Sequence, residues 1–70
     1  MNPASVAITS AINQENTSIA QARANNTQLL ALRNQLNLKT DEGKKKLQEI
    51  NAKLDENNEF INQNASSYEK

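Results

Sequence analysis

Residues 37–43, Asn37-Leu38-Lys39-Thr40-Asp41-Glu42-Gly43, read as a helix end followed at once by a helix start. Asn tolerates the left-handed conformation that closes many helices, so Asn37 is the expected stop. Thr40 is the expected N-cap, because a hydroxyl there accepts from an otherwise unpaired backbone N–H of the first turn. Asp41 and Glu42 place negative charge where the helix dipole favours it. Gly43 falls just inside the new helix, at some loss of propensity.

Upstream, Asn2-Pro3 is a capped helix start, with Pro at the first helical position where its missing N–H is no loss. No Gly or Pro follows until Gly43. Ile8, Ile12, Ile19, Ala22, Leu29 and Leu36 are spaced by four, seven, three, seven and seven, which lines them along one helical stripe. Leu30, Leu32 and Leu38 widen it near its end. Downstream, Leu47, Leu54, Ile61 and Tyr68 repeat every seven residues, and the companion column reads Ile50, Asn57, Asn64. Such columns make a coiled-coil-like seam whose later layers turn polar. Asp41–Lys45, Glu42–Lys46 and Glu49–Lys53 are acid-before-base pairs four apart, each worth about 0.2–0.5 kcal/mol on a helix.

These features predict an all-α chain, an antiparallel two-helix hairpin forming a single domain over residues 1–70. Helix one is expected over about 3–37, the turn over about 38–40 and helix two over about 41–68. One continuous helix is the alternative, and the Thr40 cap with Asn37 favours the hairpin. Folding about the turn pairs Leu36 with Gly43, Leu32 with Leu47, Leu29 with Ile50, Ile19 with Ile61 and Ile12 with Tyr68. The expected hairpin seam is therefore Ile12, Ile19, Leu29, Leu32, Leu36, Leu47, Ile50, Leu54, Ile61 and Tyr68. Asn26 and Ala22 oppose Leu54 and Asn57 in a weaker middle. A buried Asn57 or Asn64 would fix register at a cost in stability, and an exposed one would be ordinary surface.

The chain has 70 residues, and below about 70–80 residues a lone core is marginal. It has no Cys and no His, which removes disulfides and the usual zinc ligand sets. No cofactor and no metal are expected, and oligomerisation or partner helices remain as the route to stability. Eight basic and eight acidic residues cancel, which argues against a general nucleic-acid binder. No run approaches the ~20 apolar residues of a membrane span, and no basic leader precedes an apolar stretch. Synthesis in the cytoplasm is expected, with incorporation into a virion or exported assembly left open.

Charge is divided unevenly. Residues 1–38 carry only Glu15, Arg23 and Arg33, and every other charged residue follows. A water-facing helix usually carries charge on its outer face. Helix one carries Ala, Ser, Thr, Asn and Gln there, which suits enclosure by neighbouring subunits or else is simply a bland polar face. Gln14, Gln21, Gln28 and Gln35 form a column at sevens, either a ladder to a partner helix or good helix formers at exposed sites. In the hairpin register the first turns overhang, leaving Ala4, Val6, Ala7 and Ile8 as a docking peg or a frayed end. The expected partner-facing residues are Val6, Ile8, Gln14, Gln21, Ala24, Gln28 and Gln35.

Lys39 with Lys44-Lys45-Lys46 is a small basic cluster, largely neutralised by Asp41, Glu42 and Glu49 and without aromatics for base stacking. Asp55, Glu56 and Glu59 form an acidic patch, but paired carboxylates do acid–base chemistry only in a pocket that separates their pKa values. No catalytic residue is assigned and the chain is not expected to be an enzyme. Its Asn/Gln/Ala/Ser/Thr-rich helices with few aromatics look broadly like subunits of phage virions or of secretion and flagellar assemblies. That resemblance is one of composition over the whole chain, without a diagnostic motif. The expected function is a structural assembly subunit. The alternative is a small oligomeric helical regulator or inhibitor, of anti-defence type, that binds one host target or sequesters a small ligand.

Overall fold

Polar side chains, rather than Gly or Pro, divide this chain into its helices. The computed structural model describes the backbone of residues 3–68 and the side chains of residues 6–65. Asn2, as a cap, and the Tyr68 side chain, as the last seam layer, lie outside the described residues. Among those described, all regular structure is helical: α1 (Pro3–Ile12), α2 (Ile19–Arg33) and α3 (Asp41–Tyr68).

The expected first helix is thus two helices. α1 closes with Asn13 N donating to Thr9 O at 3.1 Å and Gln14 N to Ala11 O at 3.3 Å. The chain then runs irregularly to Ser18, which is extended at φ −161° and ψ 167° and caps α2 by accepting from Gln21 N. The physical reason is local competition. Asn13, Asn16, Thr17 and Ser18 are side chains that offer the backbone alternatives to helical bonding. The periodic stripe across them gave no sign of this, because Ile12 and Ile19 remain in helical phase.

α2 ends at Arg33, earlier than the periodicity suggests, with the Asn34 N–H donating back to Leu30 O at 3.2 Å. No non-Gly residue described has a positive φ, so Asn37 is not the left-handed stop. It organises the turn differently. Its Oδ1 accepts from Lys39 N at 3.0 Å, and its carbonyl accepts from the Thr40 hydroxyl at 3.0 Å. The same hydroxyl accepts from Gly43 N at 3.0 Å, which is the N-cap expected of Thr40. Both sides of the hydroxyl are therefore used. Thr40→Ala should lower stability by about 0.5–2 kcal/mol in urea denaturation, and an unchanged midpoint would show the cap to be idle.

The core lies between all three helices. Ile8 and Ala11 of α1, Leu29 of α2, and Ile50 and Leu54 of α3 form one buried cluster, with Ile12, Leu32 and Leu36 packed against it. This overturns the overhang expected of the first turns, since Ile8 is only 4 % exposed. It also removes Ile12 from the place opposite Tyr68. α2 and α3 alone would leave one side of Leu29, Ile50 and Leu54 open to water. Fully burying an Ile or Leu side chain gains roughly 1.5–3 kcal/mol, so doubling α1 back to cover them is favoured. Ile19, Leu47 and Ile61 are half-buried and extend the apolar contact beyond the core.

α2 and α3 run in opposite directions. Asn26 Nδ2 donates to Asn58 Oδ1 at 2.9 Å and Arg33 Nη1 to Asn51 Oδ1 at 3.1 Å, so rising positions on α2 meet falling positions on α3. On α3, Lys46 Nζ lies 3.2 Å from Glu49 Oε2 and Lys53 Nζ 3.2 Å from Glu56 Oε2. These pairs are three apart rather than four, and each adds only a few tenths of a kcal/mol, about 0.2–0.5. The molecule is a rod of 46 × 17 × 15 Å.

Candidate functional site

Two features stand out above the helical scaffold: a buried amide network where α1 turns into α2, and an outer row of small uncharged residues on α2.

The network joins three segments. Asn16, in the irregular stretch, donates from Nδ2 to Asn57 Oδ1 of α3 at 2.7 Å. Asn25 of α2 donates from Nδ2 to the Glu15 carbonyl and to Asn16 Oδ1, both at 3.2 Å. Gln21, one turn before, donates from Nε2 to Asn25 Oδ1 at 2.8 Å. Asn25 is 2 % exposed and Asn57 is 0 % exposed. Burying an amide is unfavourable unless its hydrogen bonds are met, and here nearly all are. The exception is Asn57 Nδ2, which is buried without a partner. Only amides and a backbone carbonyl take part, so the network holds geometry and carries no proton chemistry of its own.

Sequence reasoning singled out Asn57 as a seam residue with two readings, and it is the buried one. It missed Asn16 and Asn25. Asn25 had a legible signal, since it stands three after Ala22 and four before Leu29, inside the apolar stripe. Asn64, the next member of the Asn57 column, is half-buried and bonds back to the Phe60 carbonyl at 2.8 Å. That satisfies it locally.

The outer face of α2 carries Ala20, Ala24, Thr27 and Ala31, spaced four, three and four, and all four are exposed. Gln28 and Leu30 flank them, and Leu30 is 41 % exposed. Of the two cations on this helix, Arg33 is drawn away toward Asn51 of α3, whereas Arg23 is exposed at the edge of this face, between Thr27 and Leu30 around the helix. The Thr27 hydroxyl is turned onto its own helix, donating to the Arg23 carbonyl at 3.1 Å. Small residues at this spacing let another helix approach closely.

The sequence-predicted partner-facing residues are scattered rather than gathered. Ala24 and Gln28 share the outer face of α2. Val6 is 50 % exposed on α1. Ile8 is in the core and Gln21 in the amide network. Gln14 and Gln35 are exposed but lie outside the helices, so the column at sevens is broken at both ends. Lys39, Lys44 and Lys45 are exposed beside the turn. In the acidic patch Glu56 pairs with Lys53, and Glu59 Oε1 accepts from Gln63 Nε2 at 3.2 Å. No group of three or more His, Cys, Asp or Glu among the described residues is placed to hold a metal ion. No described helix is long and apolar enough to cross a membrane.

Comparison with known proteins finds no matching family model, no matching curated protein and no matching solved structure.

Proposed function

We propose that the chain is a non-catalytic structural subunit that packs through the outer face of α2 into a larger protein assembly, of the kind built in phage virions or secretion machinery. The observation that carries this reading is the exposed, uncharged row Ala20, Ala24, Thr27 and Ala31, in a half of the chain with three charges against thirteen in the rest. A solvated helix gains nothing from lacking charge there, whereas a helix enclosed by neighbours avoids burying it. Within this reading α2 and α3 form the coiled-coil-like hairpin seam, α1 thickens it, and copies of the same chain supply the contacts that a 70-residue core lacks.

The test compares two exposed alanines in helices. Ala24→Lys places a charge on the outer face of α2, and Ala52→Lys places the same charge on the exposed face of α3. An unpaired charge at an interface is destabilising by several kcal/mol, roughly 3–5, whereas a surface charge usually stays within about 0.5 kcal/mol. Ala24→Lys should therefore lower the assembled mass while Ala52→Lys leaves it intact. Equal behaviour of the two variants would remove the support for the reading.

A further inference from the structure

We propose that α1 is an exchangeable arm, and that the surface it covers on α2 and α3 is the docking site for α1 of a second copy of this chain. The inference goes beyond the assembly reading above, because it concerns the other side of α2.

The break at 13–18 contains no Gly and no Pro, and no non-Gly residue described has a positive φ. Nothing in the covalent backbone demands a turn there. The break is held by side chains: the Ser18 cap on Gln21 N, the Asn25 bonds to the Glu15 carbonyl and Asn16, and the Asn16 bond to Asn57. Net hydrogen bonds are worth about 0.5–1.5 kcal/mol each, so a few of them decide between two backbone states. The folded-back state also leaves Asn57 Nδ2 buried without a partner, a penalty that opening the hinge relieves by hydration.

The second state is written in the sequence. Ile8 and Ile12 stay in helical phase with Ile19, Ala22 and Leu29 across the break. A straightened chain is one helix over residues 3–33, about 46 Å long at 1.5 Å per residue, close to the roughly 42 Å of α3. In that state Ile8, Ala11 and Ile12 project past their own core, and Leu29, Ile50 and Leu54 lose their cover. Those two surfaces already fit each other. An isolated open chain leaves both in water, whereas two open chains exchanging arms restore both cores. Exchange of an identical element keeps every core contact and changes only the hinge, which is why it is a low-cost route to dimers.

The experiment alters the hinge alone. Asn16→Ala with Ser18→Ala removes the latch and the α2 cap, and replaces both residues with the best helix former. Ala24→Lys is carried throughout, to separate the result from assembly on the outer face of α2. The hinge variant should sediment at twice the 7.8 kDa chain mass, with circular dichroism showing no loss of helix and a gain matching residues 13–18. Ile19→Pro should then reverse it. Position 19 is the first residue of α2, and the extended Ser18 before it suits a following proline, so the folded-back state accepts the change. Inside a continuous helix the same proline is worth about 3 kcal/mol of disruption. Added to the hinge variant, Ile19→Pro should therefore return a helical monomer. A hinge variant that stays monomeric, that loses helix, or that dimerises regardless of Ile19→Pro would overturn the proposal. Because Ala24→Lys is present in every variant, failure of the hinge variant to dimerise overturns this proposal while leaving the assembly reading in place.

Discussion

Gly43→Ala is expected to destabilise the protein by about 1–2 kcal/mol net, against the direction that helix propensity alone predicts. Ala is favoured over Gly by about 1 kcal/mol inside a helix, and Gly43 is within the first turn of α3. The opposing effect is steric. The connector backbone lies directly on Gly43, and a Cβ there would sit 2.7 Å from the Asn37 carbonyl carbon and closer still to its oxygen. Those atoms belong to a backbone whose carbonyl accepts from Thr40, so they cannot yield without loosening the cap. Overpacking of this kind costs typically 1–3 kcal/mol and here outweighs the propensity gain. Chemical denaturation decides the sign. A higher midpoint in Gly43→Ala would mean that the connector gives way freely and that Gly43 has no structural role.

Asn25→Ala is the second large effect, at about 2–4 kcal/mol. The truncation removes three hydrogen bonds at a nearly buried residue and leaves the Glu15 carbonyl short of a donor. Three net bonds at about 0.5–1.5 kcal/mol each give about 1.5–4.5 kcal/mol, which brackets that range at a site whose bonds are only partly buried. Asn25→Asp refines the test. Its carboxylate would face two acceptors, the Glu15 carbonyl and Asn16 Oδ1, where the native amide donates. Burial and those acceptors favour the protonated form, so the folded-state pKa of the new group lies above its unfolded value. Its stability is then retained at pH below the unfolded value and lost as pH rises through the folded one. The deficit of Asn25→Asp relative to the native chain should shrink on acidification, while that of Asn25→Ala should not. Parallel pH profiles for the two variants would show that the amide donates to nothing.

The helical class and the start of α3 were legible because they rest on local chemistry: the stripes on either side of residue 40, and a Thr followed by two acids. The break at 13–18 was not legible. The polar side chains Asn13, Asn16, Thr17 and Ser18 permit it locally, but the tertiary burial of Ile8 and Ala11 between α2 and α3 selects it, and the apolar spacing is the same in both outcomes. Asn37 was identified as the turn-former, but through left-handed backbone rather than through its side chain and carbonyl. Of the expected seam, Leu29, Ile50 and Leu54 form the core, and Leu32 and Leu36 pack on it. Ile8 was assigned to a partner because a two-helix register gave it nothing to touch. Ala24 and Gln28 are exposed, since a wide apolar stripe on one side of α2 leaves the other side outward whatever α1 does.

Assembly through the small-residue row of α2 is tested most directly by measuring solution mass by light scattering for the native chain, Ala24→Lys and Ala52→Lys. The native mass should be a multiple of the 7.8 kDa chain, retained in Ala52→Lys and reduced in Ala24→Lys with helicity preserved. A native chain that stays at the single-chain mass at high concentration, or two variants that behave alike, would contradict it.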